Sequence, residues 1–270
     1  MTVAVMIEKM SEGLGRTCGI FFLTLLFSLP LGLIMALLRR SRFAVVRGIM
    51  RGAISVLRGT PLMLQLLAVT YGPFYISKAL KDILVAALAT ESFMAGLGEF
   101  AVFVESALGW LPFVDIEASA VVQYVCELPK EMLIKIPANK LIPIIVGFSI
   151  NYAAYFAEIY RGGIESMPVG QYEAAAVLGY NKFQTFMRII LPQVIKRILP
   201  SVTNEIITLV KDTSMAFTVA YQEMFTIGKQ IANSQSSFMP FIIAGVFYYV
   251  FNSLVAFVMS RIEKGLNYYR

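Results

Sequence analysis

Residues 14–38 read LGRTCGIFFLTLLFSLPLGLIMALL, an apolar run whose one charge, Arg16, lies near its start. A helix of about 20 apolar residues crosses the hydrocarbon layer of a bilayer, so this run is expected to span one. Glu8, Lys9 and Glu12 precede it. It is too long for a cleaved signal segment and reads as a retained helix. Four more runs of the same kind lie at about 53–76, 141–160, 198–221 and 238–259. The fourth of the five carries Lys211 and Asp212 in its middle and is the least apolar. The expectation is an all-α integral membrane protein with five core transmembrane helices.

Composition agrees. Of 270 residues, 58% are hydrophobic and 15% charged, against about a quarter charged in soluble domains. A soluble globule, a disordered chain, collagen and a nucleic-acid domain are excluded on that ground. The formal charge of +6 then reads as loops facing an anionic lipid leaflet, not as a nucleic-acid surface. Histidine is absent, so imidazole metal sites and His-based acid–base catalysis are ruled out. Cys18 lies in an apolar segment and Cys126 in a polar-flanked one, so neither a disulfide nor a cysteine metal site is expected. Gly228-Lys229 is followed by Gln230 and has no upstream phosphate-loop glycine. ATP, if used, must be bound by another chain.

Basic residues set the orientation. Arg39, Arg40, Arg42, Arg47 and Arg51 follow the first run, and no acid occurs between Glu12 and Asp82. Arg161, Lys182, Arg188, Lys196 and Arg197 follow the third, and Arg261, Lys264 and Arg270 the fifth. These three places are expected in the cytoplasm, which puts the N-terminal segment 1–13 outside and the C-terminus inside. The stretch from about 77 to 138 is then external. It looks like short surface helices over 83–89 and 100–104, because Glu91, Glu99 and Glu105 interrupt any spanning window. An extra hairpin of two poorly apolar spans is the alternative. Pro112, Pro129 and Pro137 punctuate the rest as loop.

Residues 165–193 carry a separate helical code. Ser166 can cap a helix whose first turn holds Pro168. The segment 169–178 follows, with Ala174, Ala175 and Ala176 as a flat small face, and Gly179 as its stop. Asn181 with Gln184 forms a capping box for a second helix. Phe183, Phe186 and Ile190 recur on one side of that helix, and Pro192 ends it. Taken by itself, this is a helix–turn–helix on the cytoplasmic face, with or without a partner.

Within it, Glu173-Ala174-Ala175, three residues, Gly179, nine residues, Ile189, one residue and Leu191-Pro192 resemble, at every fixed position, the E-A-A-x3-G-x9-I-x-L-P loop of ABC importer permeases. Arg58-Gly59-Thr60-Pro61-Leu62, the run 157–164 (AEIYRGGI), Gly170-Gln171 and Lys211-Asp212-Thr213-Ser214 narrow the resemblance to the polar amino acid uptake permeases of histidine, glutamine and arginine type. It covers about 14–76 and 139–265, and the stretch 77–138 departs from it. The resemblance implies a type I ABC importer permease fold in a bacterial cytoplasmic membrane, surrounded by lipid. It implies that Glu173 and its neighbours couple to separate ATPase subunits, which bind ATP and magnesium, while this chain binds no cofactor. A second permease chain and an extracytoplasmic amino-acid-binding protein complete the system it implies. Permeases for an opine, an osmolyte or a peptide are the near alternative; a non-transporting membrane receptor or scaffold is the distant one.

Polar residues fall in the apolar runs at about one depth: Gln65, Asn151 and the pair Lys211–Asp212. Such groups are costly in lipid and face a bundle interior or a cavity. With Thr213 and Ser214 they supply the cation, anion, amide and hydroxyl that an amino acid zwitterion needs. Lys211 and Asp212 could equally form a structural ion pair, and Glu158 could pair with Arg161 at i, i+3. On the resemblance, Tyr155 and Glu158 line or gate the cavity.

Overall fold

The computed structural model describes residues 2–108, 117–131 and 134–266, and no strand occurs among them. The chain forms two compact units, Thr70–Ala138 and the remainder. The larger unit is built around α1 (Val3–Arg39) and α6 (Leu141–Glu165). At 1.5 Å per residue α1 is about 55 Å long, more than a bilayer needs. It absorbs the N-terminal segment, where Met6 and Met10 pack against Met224, Ile231 and Ala244.

The α1–α6 contact is close because α1 presents glycine to it. A Cβ on Gly32 would lie 2.8 Å from Phe156 Cβ and 3.0 Å from the Ala153 carbonyl oxygen. Ala153, Ala154 and Ala157 of α6 meet Met35 and Ala36 of α1 over the same stretch. Small residues bring the two backbones together, which is how membrane helices gain packing without a hydrophobic driving force.

The second apolar run is not one helix. α2 (Ala44–Gly59) and α3 (Leu62–Leu88) meet at 111°. Pro61 has no N–H and disfavours helical geometry in the residue before it. Thr60 is accordingly extended, at φ −113° and ψ 145°. α1, α6 and α11 (Met239–Gly265) are each long and apolar enough to cross a membrane, and α2 with α3 passes the same test only when the bent pair is taken together. The fourth run differs too. α9 (Leu191–Asp212) begins well before Ile198, then passes into a 3-10 turn over Thr213–Val219 that ends at Ala220 with φ 55°. α9 carries Lys196, Arg197, Glu205, Lys211 and Asp212, and it is not among the helices that qualify on composition. α10 (Met224–Gln235) follows, with Glu223 capping its N-terminus by accepting from the Phe225 and Thr226 amides, both at 2.7 Å.

In the smaller unit α3 runs on to Leu88 and is followed by α4 (Glu91–Leu108) and α5 (Ala118–Glu131). Helix is therefore longer here than the fragments 83–89 and 100–104. α5 runs through Pro129, which reads as a loop residue in the sequence; Pro112 lies outside the described residues. Buried Ser77 ties the unit together, donating to the Phe74 carbonyl at 2.9 Å and accepting from the Ile134 amide at 3.1 Å.

The Gly32 contact is measurable. Gly32→Ala should lower the thermal stability of the detergent-solubilised protein, by about 1–3 kcal/mol for overpacking at a backbone contact. Gly19→Ala, on the same helix with nothing within 4 Å, should not lower it, since alanine favours helix over glycine.

Candidate functional site

The break between α2 and α3 frees backbone carbonyls from their helical partners, and other groups of the protein take them up. Gln65, in the first turn of α3 and not at mid-span, supplies them. Its Nε2 donates to the Leu57 carbonyl at 2.7 Å, the Thr60 carbonyl at 3.1 Å and Thr60 Oγ1 at 2.8 Å. Asn151 of α6 reinforces this: its Nδ2 donates to Gln65 Oε1 at 3.0 Å and to the Leu57 carbonyl at 3.3 Å. Both amides thus serve the bend first.

Beside the bend lies a cavity of about 260 Å³. Thr60 and Leu62 come from the break, Asn151, Tyr152 and Tyr155 from α6, and Glu205, Thr208 and Asp212 from α9. Spacings of three and four residues place the last three on one face of α9. Tyr152 donates its hydroxyl to Asp212 Oδ2 at 2.7 Å. The Arg58 guanidinium sits over the Tyr155 ring, 5.2 Å from its centroid. Asn151, Tyr155 and Asp212 are therefore brought together. Glu205 escaped the sequence reading, although its i, i+7 relation to Asp212 carried the signal.

Lys211 is not part of this cavity. One residue of helix turns it about 100° from Asp212, and it lines a second cavity of about 320 Å³ with Ser214, Phe225, Phe241 and Tyr248. No Lys211–Asp212 ion pair forms among the described residues. Thr213 is buried, with its hydroxyl donating to the Val210 carbonyl at 2.7 Å, and Ser214 donates to the Lys211 carbonyl at 2.8 Å. Glu158 also lies outside the 260 Å³ cavity. It is held between Arg39 of α1 and Arg161, and Arg161 reaches Glu165 as well. Glu158 thus pairs with Arg161 at i, i+3 and adds a link to α1.

The segment after α6 is a helix, a glycine turn and a second helix. α7 (Val169–Val177) starts after Pro168; Ser166 instead caps the end of α6, donating to the Gly163 carbonyl at 2.8 Å. Gly179 adopts φ 76°. The Gly179 amide donates to the Ala176 carbonyl and the Tyr180 amide to that of Ala175, both at 3.0 Å, the paired bonds of a glycine-terminated helix. Asn181 and Gln184 make the capping box, at 2.9 and 3.0 Å, at the start of α8 (Lys182–Thr185).

Pro192 does not end this second helix. A π-helical turn over Phe186–Ile190 carries the chain from α8 into α9, with Pro192 in the first turn of α9. Proline is tolerated there because that N–H has no partner to lose. The wider π turn shifts the register, so Phe183 stays 73% exposed while Phe186 and Ile190 turn inward. Ile189 packs against Ile164, Met167 and Val194, beside Leu191 and Pro192. Ala175 is buried, whereas Glu173, Ala174 and Ala176 face outward with Val177 (89% exposed) and Leu178. Among the described residues no group of His, Cys, Asp or Glu is arranged to hold a metal ion.

Residues 28–268 match the family described as the binding-protein-dependent transport system inner membrane component. The chain belongs to that family: it is a permease subunit of a binding-protein-dependent ABC importer. It is 28% identical to the nopaline transport system permease protein of Agrobacterium fabrum over 97% of this chain and 89% of that one. It is 25% identical to the arginine ABC transporter permease protein of Escherichia coli over 94% and 93%. Among solved structures, that of an amino acid ABC transporter with histidines superposes with a TM-score of 0.69, at 25% identity over 98% of this chain and 99% of that one.

Gln65→Leu should strip the bend of the bonds that Gln65 donates to Leu57 and Thr60 and cost about 0.5–1.5 kcal/mol, the net worth of an ordinary hydrogen bond. A drop in unfolding temperature, absent in an exposed control such as Met63→Leu, is the expected result.

Proposed function

We propose that this chain imports polar amino acids into the bacterial cytoplasm by alternating access, driven by two separate ATPase subunits. Five spans form the core: α1, the broken pair α2–α3, α6, α9 with its 3-10 extension, and α11. The N-terminus is outside and the C-terminus inside. Two permease chains, identical or homologous, enclose the pathway within the lipid, and an extracytoplasmic amino-acid-binding protein delivers the substrate. ATP and magnesium stay on the partner subunits.

One observation carries the reading. The 165–193 loop presents Glu173, Ala174, Ala176, Val177, Leu178 and Phe183 to solvent, and it continues without a break into α9, which lines the cavity. An exposed small-and-apolar face is a docking surface in search of a partner. Helix α9 is the path by which closure of that partner reaches Asp212, and Ile189, Leu191 and Pro192 anchor the junction. Asn151, Tyr155, Asp212 and the bend residues form the substrate pathway; Lys211, Thr213 and Ser214 line or support its neighbour. The likeness to a nopaline permease favours an amino acid conjugate of the opine type as the second candidate.

The test is reconstitution with ATPase and binding-protein subunits of an amino acid ABC importer. ATPase stimulation by one or a few amino acids is the expected result. Glu173→Lys should abolish stimulation while insertion into the membrane stays normal. A complex that assembles and ignores every amino acid would overturn the substrate class.

A further inference from the structure

A third cavity, of about 570 Å³, lies apart from the two already described. Met167 of the 165–193 loop, Gln193, Lys196 and Arg197 of α9, and Glu263 and Leu266 at the end of α11 line it. Its charges are uncommitted. Lys196 and Glu263 are each partly buried, and neither forms an ion pair, with the other or with any other described residue. Arg197 donates through Nη1 to the carbonyl and hydroxyl of Ser166; its Nη2 has no partner among the described residues. Gln193 donates through Nε2 to the Ile189 carbonyl at 2.9 Å and to Gln171 Oε1 at 3.2 Å, which leaves its own Oε1 free to accept. The cavity thus offers donors for an anion, from Lys196 and Arg197, and acceptors for a cation, from Glu263 and Gln193.

The depth of the site names the ligand class. The apolar run of α11 ends at Met259, and Glu263 lies about 6 Å further along the axis. The headgroup layer on each face of a bilayer is about 5–7 Å deep. Phe257, Val258 and Ile262 are exposed in the turns just before Glu263, an apolar surface for acyl chains. Resting on the importer reading above for which face is cytoplasmic, we propose that this cavity holds the headgroup of an aminophospholipid of the inner leaflet. Its phosphate pairs with Lys196 and Arg197, and its primary ammonium with Glu263 and Gln193. A primary ammonium brings three N–H donors to the two acceptors, whereas a choline headgroup brings none. A phosphatidylglycerol has no cation and would set its phosphate against an unpaired Glu263. A free amino acid carries both charges but leaves much of the volume, and the apolar wall of Met167 and Leu266, unfilled. Since Met167 and Gln193 stand at the two ends of the 165–193 loop, a bound headgroup ties both ends of it to α11.

The test is native mass spectrometry of the delipidated full chain, titrated with short-chain phosphatidylethanolamine, phosphatidylcholine and phosphatidylglycerol, reading the first binding step. Phosphatidylethanolamine should bind at least about tenfold more tightly than either of the others, the worth of one hydrogen bond to a charged group. Glu263→Gln should weaken phosphatidylethanolamine and strengthen phosphatidylglycerol until the gap closes. Lys196→Gln should weaken both, and Lys196→Arg should keep the wild-type order. Tightest binding of phosphatidylglycerol, equal binding of the ethanolamine and choline lipids, or a preference that survives Glu263→Gln would each overturn the inference. So would displacement of the lipid by free arginine or glutamine, which would give the site to a soluble amino acid. The order of the three lipids on the unaltered chain decides the matter even if a variant fails to fold. None of these outcomes touches the importer reading, which stands or falls on ATPase stimulation.

Discussion

Backbone polar groups inside a membrane must be satisfied by the protein, and the bend at Thr60–Pro61 is where this chain meets that demand most sharply. Pro61 breaks the helix and frees the Leu57 and Thr60 carbonyls. Gln65 and Asn151 take them up, and in doing so lock α3 and α6 to the end of α2. Bend and cavity meet at Thr60 and Asn151, which take part in the repair and also line the neighbouring wall. The close glycine contact between α1 and α6 fixes the scaffold on which this repair is made.

Helix content and the membrane setting were legible because apolar run length is read directly from the residues. The bend was legible in principle, since Thr60-Pro61 says that a helix stops there, but the apolar pattern runs straight across it and hides the turn. The capping box of Asn181 and Gln184 and the left-handed Gly179 were readable because each is a local rule with few alternatives. Ser166 had two helix ends within reach, and the structure uses it for the earlier one. Pro192 misleads for a related reason: proline both ends helices and begins them, and only the π turn before it decides which.

The wall of the cavity was half legible. Depth along each run singled out Asn151 and Asp212, but depth does not say which way a side chain turns. Lys211 and Asp212 are neighbours in sequence and face different cavities, so the ion pair that their adjacency suggests never forms. Glu205 looked like an ordinary interruption of an amphipathic helix, and its significance comes from lying two turns from Asp212. Glu158 shows the converse, a conspicuous acid whose two arginine partners, Arg39 and Arg161, give it a structural task.

The π turn at Phe186–Ile190 and the uninterrupted helix beyond it have a consequence for how this chain can vary. From Leu191 to Glu205 the chain climbs about 21 Å as one rod at 1.5 Å per residue, with the 165–193 loop at one end and the cavity acids at the other. Side chains along the rod can be exchanged with local effects. Its length cannot: one residue inserted or deleted would rotate the two ends by about 100° against each other and turn the loop and the cavity acids out of their present register. This stretch therefore works as a gauge, and the number of residues in it matters more than their identity.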